Sequence, residues 1–162
     1  MTKHRTADAD ELLNAVGPAF GKLRRSSLLD VENPISQKDL SRTLVLNIVL
    51  EAEQAEADQP REITVGAIAA HLGADPSVAS RMVSDSISAG YLIRAASQQD
   101  GRRTVLHLSP EGRELMARFR RHQRDAFESI TADWSEAERL EFARLMLKYV
   151  AAQDALRARG ER

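Results

Sequence analysis

The chain has 162 residues, room for one domain with a proper core or two small lobes sharing elements, and its 43% hydrophobic and 29% charged residues are the balance of a globular chain. With 23 Lys and Arg against 24 Asp and Glu, bulk attraction to polyanions is excluded and any such site must be a local patch. The absence of cysteine removes disulfides, thiolate metal sites and thiol switches, while the lack of a long apolar run and a polar first ten residues predict no membrane partner and a cytoplasmic address.

Helical periodicity opens the chain. Leu12, Leu13, Val16, Phe20 and Leu23 share a helical face from about Asp10 to Leu29, interrupted at Gly17-Pro18, where a bend is expected. After Asn33-Pro34, Ser36 is a candidate N-cap for a second helix with the inward stripe Leu40, Leu44, Val45, Ile48, Val49 and Ala52. This helix runs into the acidic stretch Glu51, Glu53, Glu56 and Asp58, whose ordinary meaning is solvated charge, and stops before Pro60.

A short helix follows from Thr64, its expected cap, to Gly73, with Ala67, Ile68 and Leu72 inward. Asp75 and Pro76 launch the next, which buries Ala79, Met82, Val83 and Ile87 and ends at Gly90. The period then changes to two: Tyr91, Ile93 and Ala95 alternate, a turn-rich Ser97 to Gly101 intervenes, and Thr104, Leu106 and Leu108 alternate again. Ser109-Pro110 starts a long helix to about Ser129, and a last helix follows Ser135 to about Ala158.

Helix, tight turn, helix and β-ribbon is the order of a winged helix-turn-helix, in which the second helix enters a major groove and the ribbon tip reaches the minor groove beside it. The expected fold is mainly α with a small β-wing. Ser77, Ser80, Arg81 and Ser84 lie off the apolar stripe of the second helix and are the candidate contacts to double-stranded DNA, Arg81 for a guanine edge. The free backbone N–H groups at that helix start are expected to add an anion site. At the ribbon turn Arg102 and Arg103 place guanidinium groups for a narrow minor groove, and Asp100 is expected to accept hydrogen bonds from Arg102 or the turn backbone, holding the wing in shape.

On these residues the chain resembles the MarR family of bacterial transcriptional regulators. Asp100-Gly101-Arg102, five residues, then Leu108-Ser109 is similar to the family pattern D-x-R-x5-L-[TS], and it leads into Pro110-Glu111-Gly112. Ile68 to Gly73 and Val78 to Val83 are similar to its helix-turn-helix; Ser86 departs, standing where members commonly carry leucine. The resemblance implies a repressor whose terminal helices form a homodimer on a palindromic operator. The apolar Phe20, Trp134, Leu140, Phe142, Leu147 and Tyr149 independently call for a partner surface, and two recognition helices read half-sites about 34 to 36 Å apart. It further implies a crevice for a small-molecule effector, near which Arg24, Arg25, Arg42 and His71 are the candidates, Arg42 and His71 first. The expected division is residues 1–34 for dimerisation, 35–110 for the winged lobe with a linking helix at 36–57, and 111–162 for dimerisation.

Other readings follow from the same residues. A winged helix also serves as a protein-interaction module without DNA. An enzyme is not expected, since no phosphate-cradling glycine loop, nucleophile elbow or HExxH occurs. No cofactor is expected, and no metal, because His4, His71, His107 and His122 lack ligand spacing among themselves.

Overall fold

The computed structural model describes residues 7–25, 36–54 and 62–160. Two compact units divide the chain, Met1–Glu32 and Asn33–Arg162. The described part of the first is one helix, α1 (Ala7–Arg25), with Asp8 and Asp10 in its first turn, where the helix dipole favours negative charge. Contrary to the interruption expected at Gly17-Pro18, α1 is continuous through Pro18. A proline removes one N–H and crowds the carbonyl four residues back; here that is the carbonyl of Asn14, on a stretch that is exposed. Leu12 and Leu23 are 73% and 60% exposed.

The second unit is built on α2 (Gln37–Gln54), α3 (Val65–Leu72), α4 (Pro76–Ser88), strands β1 (Leu92–Ala96) and β2 (Thr104–Leu108), α5 (Pro110–Ile130) and α6 (Glu136–Gly160). Its helices start where short polar side chains collect the unpaired N–H groups of the first turn. Ser36 Oγ accepts Asp39 N–H, Thr64 Oγ1 accepts Ala67 N–H and Ser109 Oγ accepts Gly112 N–H. At α6 the exchange is reciprocal: Ser135 Oγ accepts Glu138 N–H while the Glu138 carboxylate accepts the Ser135 N–H and hydroxyl.

α2 is the central post, packed by α3, α4, β2 and α5. Covered from several sides, it buries Thr43, Val45, Leu46, Val49, Leu50 and Ala52, a face turned from the predicted stripe, with which it shares Val45, Val49 and Ala52. Leu44, expected inward, is 56% exposed, on the face that carries the hydrogen-bonded pair Asn47 and Glu51. Ile68, Ala79, Val83, Leu92, Leu106, Leu108, Leu115 and Met116 complete the core.

β1 and β2 pair antiparallel, with Leu92 opposite Leu108 and Arg94 opposite Leu106. β1 therefore sits in the opposite phase to that expected, while β2 keeps its expected Leu106 and Leu108 inward: Leu92 is buried, and Ile93 is half exposed. The inward Leu106 and Leu108 of β2 dictate which β1 residues face the core, and register places Leu92 among them. Val105 is buried as well, so β2 is covered on both faces, and the Leu106 N–H donates to the Ile63 carbonyl on the edge of β2 away from β1.

The chain closing α4 and the start of α5 meet at close range. Ser109 donates its N–H to the Tyr91 carbonyl and its hydroxyl to the Gly90 carbonyl, at 3.1 and 2.6 Å. A Cβ on Gly112 would lie 2.1 Å from that Tyr91 oxygen, so only glycine permits the approach.

Candidate nucleic-acid interface

α3 and α4 form a tight helix-turn-helix because the turn between them is specified residue by residue. Gly73 adopts the left-handed conformation (φ 58°, ψ 34°), with the Gly73 and Ala74 N–H groups returning to the Ala70 and Ala69 carbonyls. Two residues later Asp75 caps α4 and Pro76 occupies its first turn. Hydrogen bonds from Ser77 hold the Asp75 carboxyl below the usual carboxylate range. That cap corrects the expected anion site. Pro76 has no N–H, Ser77 gives its own to Asp75 Oδ1, and Val78 gives its own to the Asp75 carbonyl. The donors are spent within the chain, and the nearest charge is negative.

The outward face of α4 carries Ser77, Ser80, Arg81 and Ser84, all exposed, while Ala79, Val83 and Ser86 are buried. Ser86, the departure from the leucine of the family pattern, is fully buried and donates its hydroxyl to the Met82 carbonyl at 2.9 Å. A helix carbonyl one turn back satisfies a hydroxyl that has no water.

At the wing tip Arg102 and Arg103 are exposed, and Arg102 and Arg81 take no ion pair among the described residues. Asp100 Oδ1 accepts the Arg102 backbone N–H at 3.1 Å, and the Asp100 carbonyl accepts that of Arg103 at 2.8 Å. A residue missed in the sequence completes the turn: the Glu62 carboxylate accepts the Ser97 hydroxyl and the Gln98 N–H.

Arg42 does not present a free ligand-binding group. The Arg42 guanidinium gives Nε and Nη2 to Asp85 and Nη1 to Asp39, lies 5.6 Å from the Tyr91 ring centre, and is only 13% exposed. Asp85 above all raises its pKa. Burial opposes charge on Asp39, but hydrogen bonds from Arg42 and Ser36 outweigh it and hold that carboxyl below its usual range, as the Arg42 hydrogen bond does for Asp85. A surface pocket of about 260 Å³ beside Arg42 is lined by Ser41, Arg81, Met82 and Asp85, and His71 is not among its walls. His71 is exposed on α3 with Nδ1 2.8 Å from the Ala67 carbonyl. The side chains of Arg24 and Arg25, like His4, lie outside the described residues.

The acidic stretch is not uniformly solvated. Glu51 pairs with Asn47, but Glu53 points inward: Oε1 accepts the Leu108 N–H, His107 Nδ1 lies 3.4 Å from it, and Arg113 Nη1 lies 2.8 Å from Oε2. It ties α2 to β2 and α5. Glu56 and Asp58 lie outside the described residues. No cluster suited to a metal ion occurs among the described residues, and none of their helices is long and apolar enough to cross a membrane.

No protein-family model and no curated protein matches the sequence. Solved structures do match in fold. The chain is similar to the MarR family transcription regulator SP03579 at 16% identity, over 92% of this chain and 94% of that one, with a TM-score of 0.63. It is similar to MarR at 18% identity, over 100% of this chain and 99% of that one, with a TM-score of 0.57. S. aureus MepR bound to ethidium bromide matches at 16% identity over 94% and 99%, with a TM-score of 0.52. The fold of the described residues, six helices and a two-stranded antiparallel wing, is that of MarR family transcription regulators.

Proposed function

We propose that the chain is a repressor that binds double-stranded DNA as a homodimer on a palindromic operator. The observation that carries this is the pair of arginines, Arg81 on the outward face of α4 and Arg102 at the wing tip, exposed and without ion pairs among the described residues. A surface guanidinium held by no carboxylate is available to phosphate or a guanine edge. In this reading residues 35–110 bind DNA: Ser77, Ser80, Arg81 and Ser84 enter the major groove, Arg102 and Arg103 the minor groove, and Asp100 fixes the turn. With the α4 N–H groups engaged by Asp75, affinity rests on side chains rather than on a helix-end anion site.

Residues 1–34 and 111–162 supply the dimer surface. On α6, Leu140, Leu147 and Leu156 are 64%, 72% and 67% exposed, more apolar surface than a lone chain leaves in water. MepR has been solved with ethidium bromide, and by analogy a small organic molecule is the proposed effector. Its walls are not Arg42 alone, since that guanidinium is engaged within the chain, and His71 stays an exposed candidate. The reading includes no catalysis and places the protein in the cytoplasm.

The test is fluorescence anisotropy with a duplex selected from a random pool and with random duplex, over a salt series. Salt-sensitive binding that prefers the selected duplex, and that Arg102→Ala weakens while dimerisation persists, supports the reading. Absence of salt-sensitive binding to either duplex refutes it in favour of a protein-interaction module.

A further inference from the structure

Glu62 precedes the helix-turn-helix, yet its carboxylate is used by the wing, 35 residues on. Oε2 accepts the Ser97 hydroxyl at 2.5 Å; Oε1 accepts the Gln98 N–H at 2.7 Å and the Gln99 N–H at 3.4 Å. Ser97 is buried, and its oxygen accepts the N–H groups of Gln99 and Asp100 at 3.1 and 2.9 Å. Asp100 then takes the Arg102 N–H on its side chain and the Arg103 N–H on its carbonyl. A relay of acceptors thus runs from Glu62 to both wing arginines. Nothing apolar shares the task, because every residue from Gln98 to Arg103 is exposed. The Glu62 backbone is itself anchored, since its neighbour Ile63 is buried and accepts the Leu106 N–H.

We propose that Glu62 is the positioning residue of the wing: it sets the path of the turn that carries Arg102 and Arg103, and so raises DNA affinity without touching DNA. The proposal rests on the DNA-binding reading above. It makes a prediction opposite in sign to simple electrostatics. A carboxylate near a polyanion repels it, so removing a merely superficial Glu62 would strengthen binding. Removing a positioning Glu62 weakens it.

The experiment uses the full chain, a selected duplex and a salt series, with wild type, Glu62→Ala, Glu62→Gln, Ser97→Ala, Arg102→Ala and the Glu62→Ala/Arg102→Ala double variant. Circular dichroism melts check folding, and Ser97→Ala cuts the same relay should Glu62→Ala fail to fold. Glu62→Ala is expected to weaken binding about tenfold, flatten the salt slope by roughly one phosphate contact, and erase hydroxyl-radical protection at the outer flanks while the central protection stays. Glu62→Gln, which keeps an acceptor for Gln98, recovers part of the loss, and on an Arg102→Ala background Glu62→Ala costs less than it does on the wild type, because only Arg103 is left to displace. In the free protein, amide exchange at Gln98, Asp100 and Arg102 speeds up. Unchanged or tighter binding by Glu62→Ala, or losses that multiply with Arg102→Ala, overturn the proposal alone. A wild-type protein that binds no duplex overturns the DNA-binding reading with it.

Discussion

Arg42 donates Nε to Asp85 Oδ2 at 2.7 Å, a bond between α2 and α4 that spans 43 residues of sequence. Nη1 holds Asp39 on the same helix as Arg42, so the three side chains form one charged bracket beneath the Tyr91 ring. Arg42 is well covered and Asp85 is nearly half exposed. Arg42→Ala strands Asp39 and Asp85 together and is expected to destabilise the fold by about 2 kcal/mol, whereas Asp85→Asn, at a screened position, costs much less. Urea denaturation of both variants checks the ranking; equal midpoints would refute it.

Acid should loosen several of these contacts together. Asp39, Glu62, Asp75 and Asp85 are all held below their ordinary carboxylate values by hydrogen bonds. A carboxyl depressed in the folded state contributes stability above its unfolded pKa, about 3.9 for Asp and 4.3 for Glu, and loses it as pH falls through the folded value. Tm is therefore expected to be flat with respect to these groups from neutrality to about pH 5, then to fall as acid is added. A Tm that rises below pH 5 would contradict the assignment.

Much of the fold is legible in the sequence where the physics is local. Ser36, Thr64, Asp75 and Ser109 cap helices because a short oxygen reaches N–H groups two or three residues on, and Gly73 is the residue that takes a left-handed turn without strain. The phase of β1 was not legible, because Leu92 and Ile93 are equally apolar and only the opposite strand decides between them. Glu62, and the tie of Arg42 to Asp85 in place of the expected effector crevice, were not legible for a related reason: the partners lie 35 and 43 residues away, and no periodicity marks a polar side chain for such an encounter. At the candidate interface the exposure of Ser77, Ser80, Arg81 and Ser84 follows from helix phase; the expected anion site fails because the Asp75 cap, itself legible, uses the first N–H groups of α4.

Ser86 gives a sharp packing test. The side chain has no exposed surface, and its hydroxyl donates to a carbonyl already serving the helix. Ser86→Ala is expected to stay within about 1 kcal/mol of the parent, while Ser86→Leu overpacks the site and costs about 1 to 3 kcal/mol. A stabilised leucine variant would show that the core has room there.

Two glycines of the second unit separate space from conformation. Neither Gly101 nor Gly112 has positive φ; a Cβ on Gly101 meets nothing within 4 Å, and one on Gly112 meets the Tyr91 oxygen at 2.1 Å. Gly112→Ala is expected to lower stability by 2 kcal/mol or so, at the upper part of the overpacking range, and Gly101→Ala by under about 0.5 kcal/mol. Thermal melts of the pair decide the matter.

α6 predicts an assembly phenotype. Phe142 stacks with Phe127 at 6.2 Å and meets Trp134 edge-on at 5.4 Å, which gives the start of the helix an aromatic seat, while Leu147 is 72% exposed farther along. If α6 forms the proposed dimer contact, Leu147→Glu is expected to shift sedimentation from dimer to monomer with helicity retained. A variant that sediments with the wild type would remove Leu147 from the subunit contact.

The joint at Tyr91 has a mechanical consequence. Ser109 and Gly112 fasten the first turn of α5 to the carbonyls of Gly90 and Tyr91, directly after α4 ends. A swivel at that spot would break two hydrogen bonds and open a backbone contact at once, so it is a weld rather than an axle. Torque delivered along α5 is thus transmitted into α4 instead of dissipating between them.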